Sequence, residues 1–158
     1  MRGRSALCAP EISVHAAGVS ANADEGARLE VMGRDECWSQ LRRHGLGRVA
    51  AVRDGRPAVF PVNYTVDGGE VVFRAGGGAL LDAVADRPVA FEIDGDDVRY
   101  HEGWSVLVTG TAREETDPER RSRLAELPLR PWAGGSRDHW VCIPVEEISG
   151  RRLVHVGG

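Results

Sequence analysis

The chain has no lysine; all twenty of its basic residues are arginine. That excludes a Schiff-base lysine and a phosphate-loop lysine as the source of any chemistry. Cysteine is scarce and odd in number: Cys8, Cys37 and Cys142 lie far apart, without a CxxC spacing. A disulfide framework and a zinc site are therefore not expected, and a reducing, cytoplasmic setting is. Cys142, between Val141 and Ile143, reads as a small buried hydrophobe. Aromatics make up only 6% of the chain and the net charge is -4. With no basic stripe carrying interleaved aromatics, nucleic acid is not an expected partner. No apolar run approaches the roughly 18 residues that would span a bilayer. Glu11 and His15 interrupt the region behind Arg2 and Arg4, so no signal peptide is expected either. Asp94, Asp96 and Asp97 lack EF-hand spacing and read as a solvated turn rather than a metal site.

What is present is the composition of an ordinary globular domain: 158 residues, 42% hydrophobic and 28% charged. Residues 1–30 are small and polar without a sustained period, and read as a flexible N-terminal arm. A short segment at residues 12–14 could add to the body. Residues 31–158 form the domain proper. Asp35 is expected to cap a helix over residues 36–44, with Trp38 and Leu41 inward, Cys37 extending that face, and Gly45 as its stop. Residues 46–53 read as a strand followed by a turn at residues 54–57. Residues 89–94 alternate, with Val89, Phe91 and Ile93 on one face. Residues 104–114 form the clearest strand, in which Gly110 marks a bulge or a close approach. Asp117-Pro118 starts a helix over residues 119–127. Residues 139–145 and 151–156 are closing strands, with a turn at Ser149-Gly150.

The chain is organised around residues 57–86. Residues 59–66 and 70–75 are rich in β-branched and aromatic residues, and Asp67-Gly68-Gly69 turns between them. Gly76, Gly77 and Gly78 then lead into a helix with Leu80, Leu81 and Val84 at helical spacing. A glycine loop before a helix, with Arg74 at the end of the incoming strand, suits an anion. Six or seven strands joined mostly by short turns predict a mainly β fold, an antiparallel barrel with covering helices. An exposed strand face of that kind is expected to close on a second copy, giving a homodimer. Tyr100, His101 and His139 are candidate acid–base or substrate-contacting groups.

In order, LGRVA (46–50), GRPAVFPVNYTVDG (55–68), VVFRAGGG (71–78), RPVAFEID (87–94), GWSVLVTGTA (103–112) and CIPVEEISGRR (142–152) resemble the pyridoxamine 5'-phosphate oxidase-like, flavin-binding split-barrel family. The resemblance implies a homodimeric split barrel holding FMN between subunits, with F420, haem or no cofactor in some relatives. It places Val62, Asn63 and Tyr64 along the isoalloxazine, largely through backbone groups. It places Phe73, Arg74 and Ala75 along the ribityl-phosphate arm, with Gly78 and Leu80 at the phosphate. Trp104 would flank the cofactor, Trp132 would cover it, and Tyr100, His101 and His139 would meet the substrate. The family pattern has Thr at position 75, Ser or Thr at 79, and Lys or Arg at 80; this chain has Ala75, Ala79 and Leu80.

The resemblance implies an FMN-dependent oxidoreductase acting on a small aromatic or conjugated molecule. The loss of polar groups at the phosphate keeps two alternatives open. One is a protein that binds a flavin, F420 or haem without turnover. The other is cofactor-independent chemistry in which Tyr100, His101 or His139 carries protons.

Overall fold

The computed structural model describes residues 27–129 and 136–155. Trp132, Cys8 and the segment at residues 12–14 lie outside the described residues. The elements run β1 (Ala27–Met32), α1 (Arg34–Arg43), β2 (Leu46–Arg53), β3 (Arg56–Asp67), β4 (Glu70–Ala75) and α2 (Ala79–Val84). They continue with β5 (Arg87–Asp97), β6 (Glu102–Glu115), α3 (Pro118–Ala125), β7 (His139–Pro144) and β8 (Glu147–His155). Every strand pairing is antiparallel.

Strand order is β1-β8-β6-β5-β2-β3-β4-β7, and β7 pairs again with β6. That last pairing closes six strands into a ring, from which β8 and β1 extend as a flap on β6. The mainly β barrel with covering helices expected from the strand pattern is the architecture found. Its eighth strand is β1, which begins at Ala27 and pairs with β8 along its whole length.

The ring closes because β6 changes partner partway along. Residues 103–109 pair with β8 and residues 113–115 with β7. Gly110 sits at the changeover, where a Cβ would overlap the Pro144 carbonyl oxygen and meet Ile143 Cγ2 at 3.1 Å. The glycine is thus a close approach between backbones, which is one of the two roles expected for it.

The core is what the alternation dictates. Val49, Val62, Tyr64, Phe73, Val89, Phe91, Ile93, Val106 and Val108 all point inward and are buried. Phe91 lies over Gly47, where any side chain would collide with the ring, and meets Tyr64 edge-on at 4.7 Å. Asp54 and Gly55 both take positive φ (51° and 71°), the signature of the two-residue turn that joins twisted strands. Asp117 caps α3, its carboxylate accepting from Glu119 N at 3.0 Å. The helix is tied to the barrel by Arg120, whose guanidinium pairs with Glu70 and lies 3.1 Å from Glu115.

Two local expectations change. The N-cap of α1 is Gly33, without a side-chain hydrogen bond, so Asp35 acts in the first turn, where a carboxylate suits the helix dipole. Cys37 and Leu41 of α1 are fully buried as expected, and Trp38 packs half-buried against the same core beneath Arg42. Ser149-Gly150 is not a turn, because β8 runs straight through it. Gly150 is needed there for room: a Cβ would stand 2.7 Å from Cys37 Sγ and 3.1 Å from Met32 Cβ.

Cys37 and Cys142 are both buried. Burial, with the nearby Glu70 carboxylate second, pushes the Cys142 thiol up to about 11. Because the thiolate is the nucleophile, neither thiol is expected to react with a disulfide reagent at pH 8 in the folded protein. Peptide mapping after native labelling checks this. Modification of Cys142 as fast as in denaturant would contradict the packing around β7.

Candidate flavin site at the β3–β4 split

β3 and β4 run together only from Tyr64–Phe73 to the turn at Asp67–Glu70. Beyond that the two strands part. Residues 56–62 of β3 pair with β2 alone, and residues 74–75 of β4 pair with β7 alone. The barrel therefore opens along one seam. There, among the described residues, β3 presents a backbone edge with no strand partner at residues 56–62.

The side chains at this seam divide sharply. Val62, Tyr64, Phe73 and Ala75 are turned into the core, so their backbone groups are what can face a ligand. Tyr64 is fixed there by its hydroxyl, which donates to the Leu41 carbonyl at 2.8 Å. Burial pushes its phenol up, so it remains protonated as a donor. Asn63 Nδ2 donates to the Gly45 carbonyl at 3.3 Å, and Tyr64 N donates to the same oxygen at 3.0 Å. Tyr64→Phe should cost about 1–2 kcal/mol by leaving the buried Leu41 carbonyl short of that donor. A loss under about 0.3 kcal/mol in urea unfolding would show that the carbonyl finds another partner.

Arg74 is half-buried and already has neighbours. Its Nε donates to the Arg137 carbonyl at 2.7 Å, and its guanidinium lies 3.8 Å from Asp138 and 5.2 Å above the Trp140 ring. Residues 76–78 follow. The Ser136 carbonyl presses on Gly76, at 3.0 Å from where a Cβ would be, while among the described residues nothing approaches Gly78 within 4 Å. Gly78 takes φ 102°, which only glycine adopts without strain. Leu80 is half-buried and packs against the core. The structure thus gives positions 75 and 80 apolar, inward roles and no polar reach.

His139 pairs with Ala75 across β4 and β7. Its Nδ1 lies 2.7 Å from Glu114 Oε1. Its Nε2 faces the glycine loop, 3.9 Å from where Gly77 would carry a Cβ. Ala75 and His139 share one face of the β4–β7 ladder and Arg74 the other, with Trp140; Gly78 and Leu80 follow from the end of β4, and Asn63 lies on β3 beside Tyr64. Trp104 belongs to the other end of β6 from Glu114, where its indole lies 4.8 Å from His44, the residue before Gly45. Gly95 gives that indole its room.

Tyr100 and His101 are placed elsewhere. They lie in the β5–β6 turn, exposed, with His101 at φ 52° and its ring 6.5 Å from His155. Glu102 and Glu114 stand near opposite ends of β6, roughly 40 Å apart as measured along the strand at about 3.3 Å per residue. A single chain does not bring Tyr100 and His101 to Arg74. Sequence reading did not identify Glu114, His44, Arg137 or Asp138 as neighbours of the predicted residues. Only strand register could have done so.

The donor set fits a flavin nucleotide in part. An open backbone edge suits the polar rim of a flat ring, and an arginine and a histidine beside an uncluttered glycine loop suit a phosphate. The hydroxyls and extra cation of the family pattern are absent. Among the described residues, no group of three or more His, Cys, Asp or Glu is placed to hold a metal ion. No helix among them is long and apolar enough to cross a membrane.

Comparison with known proteins agrees with this geometry. The family pattern described as pyridoxamine 5'-phosphate oxidase matches residues 33–152. An uncharacterized protein of Mycobacterium tuberculosis is 39% identical over 127 residues, covering 77% of this chain and 83% of its own length. The FAD binding protein of Mycobacterium smegmatis superposes with a TM-score of 0.68 at 33% identity, over 79% of this chain and 98% of that one. A FAD and heme binding protein from the same organism shares the fold at 21% identity and a TM-score of 0.62, over 82% of this chain and 74% of that one. A barrel split between β3 and β4, matched in sequence from α1 to β8, places the chain in the pyridoxamine 5'-phosphate oxidase family of flavin-binding split barrels.

Proposed function

We propose that the protein is a flavin-dependent oxidoreductase that acts on a small aromatic or conjugated molecule. The observation that carries this is the parted β3–β4 seam, with backbone at residues 56–62 on one side and Arg74, residues 76–78 and His139 on the other. A bound flavin would supply the electron transfer at its ring. The chain's part is to hold the ring edge on β3, to meet the phosphate with Arg74, and to exclude water with the apolar walls. FMN is the nucleotide implied by the family motifs. FAD is favoured by the likeness to the Mycobacterium smegmatis protein.

The protein works as a homodimer in this reading. The outer face of β2 and β3 carries exposed Leu46, Val52 and Val59, and β6 adds Leu107. Beside them a groove of about 430 Å³ is lined mainly by Ala50, Val52, Pro57, Pro88 and Ala90. Such a face suits burial against a second copy. A two-fold partner would also offer its own Tyr100 and His101, which one chain leaves far from the seam. Light scattering at micromolar concentration should give twice the chain mass; a monomer would remove this part of the proposal.

One observation favours a second reading, binding without turnover. Ala75, Ala79 and Leu80 offer the phosphate no polar side chain, so FMN should be held weakly and lost on purification. Titration of the apo protein with riboflavin, FMN and FAD tests the main proposal. Arg74→Ala should weaken FMN and FAD by about tenfold to a hundredfold and leave riboflavin nearly unchanged. Equal effects on all three would mean that Arg74 does not meet the phosphate. Anaerobic reduction of the loaded protein, followed by added acceptors, separates the two readings: a reduced flavin that no acceptor reoxidises points to storage.

A further inference from the structure

We infer that His139, oriented by Glu114, is a proton-dependent ligand for the phosphate of a flavin nucleotide at residues 76–78. This rests on the flavin reading above and assigns the regulation of that site. The Glu114 carboxylate can only accept, so the Nδ1 that lies 2.7 Å from it carries the hydrogen. In the neutral ring Nε2 then presents a lone pair, which an anionic oxygen avoids. In the protonated ring Nε2–H becomes a charge-assisted donor, and the second charge is matched by Glu114. That nitrogen faces the glycine loop, 3.9 Å from where Gly77 would carry a Cβ.

Residues 76–80 bring no charged group and no hydroxyl. From β6 the facing group is Glu114, and from β4 the nearby cation is Arg74, held by the Arg137 carbonyl and Asp138. Just ahead of His139, Asp138 has its own carbonyl bonded by Arg121 of α3 at 3.1 Å. The His139 imidazole stands across the β4–β7 ladder from Ala75, where the family pattern has a threonine. It takes up one proton from solvent as the nucleotide binds and returns it on release.

The test is to titrate the full-length apo chain with FAD and with riboflavin between about pH 6 and pH 8, where imidazole changes charge. The diphosphate of FAD keeps its charge over this range, so any step belongs to the protein. FAD affinity should fall about tenfold across it while riboflavin affinity stays flat. His139→Gln should abolish the step, and Glu114→Gln should shrink it without removing riboflavin binding. Thermal melts confirm that both variants fold. A step in FAD affinity that persists in His139→Gln, or an equal step for riboflavin, overturns the assignment. Failure of any flavin to bind at any pH would remove the flavin reading and this inference with it.

Discussion

Phe91→Ala should destabilise the protein by about 3–5 kcal/mol, the usual cost of removing a fully buried phenylalanine. Phe91 is completely inaccessible and is the ring around which three strands are fitted. It fills the space left by Gly47 on β2, touches Tyr64 of β3 edge-on at 4.7 Å, and stands on β5 opposite Val49 and Val108. The cavity would lie among strands locked by backbone ladders on both sides, so little collapse can offset it. Urea unfolding should show a lower midpoint with an unchanged slope. A loss under about 1.5 kcal/mol would mean that the barrel interior repacks far more readily than its register suggests.

Gly110→Ala should cost about 3 kcal/mol or more, for the opposite reason. The new methyl group would overlap the Pro144 carbonyl oxygen, which is backbone and cannot swing aside as a side chain would. Relief requires β6 and β7 to separate at the point where the ring closes. The melting temperature should fall by roughly 6–12 °C. Exchange should accelerate first at residues 113–115 and 140–142, the short ladder that completes the barrel. A neutral substitution would show that closure does not depend on that contact.

These two positions show what the sequence made legible and what it did not. Val89, Phe91 and Ile93 alternate in a way that only a half-buried strand explains, and all three are inward. Gly110 was readable as special within a strong strand. Gly150 was misread as a turn because a glycine needed for space looks the same locally as one needed for a bend. The Cys37 sulfur and Met32 that crowd it come from far away in the chain. β1 was overlooked although Arg28, Leu29, Glu30 and Val31 alternate: the run is short, its apolar Leu29 and Val31 face outward, and the residue it buries is Met32 at its end.

The site was legible to the same depth. Asn63, Arg74 and the three glycines announce themselves by type and order. The partners that set their chemistry do not, because Glu114 meets His139 and Arg137 meets Arg74 only through strand register. Tyr100 and His101 read as substrate-contacting groups alongside His139, yet the hairpin leaves them at the end of β6 away from Glu114 and His139. Proximity along the chain is a poor guide where a strand of 14 residues intervenes.

The central claim is that a flavin nucleotide lies in the β3–β4 seam. Hydrogen exchange on the full-length protein, with and without saturating FAD, tests it most directly. The account predicts slowed exchange at the non-proline residues of 56–62, whose backbone edge has no strand partner among the described residues, and at residues 74–78 of the adjoining strand and loop. Saturating FAD that leaves both segments exchanging at the apo rate would contradict it.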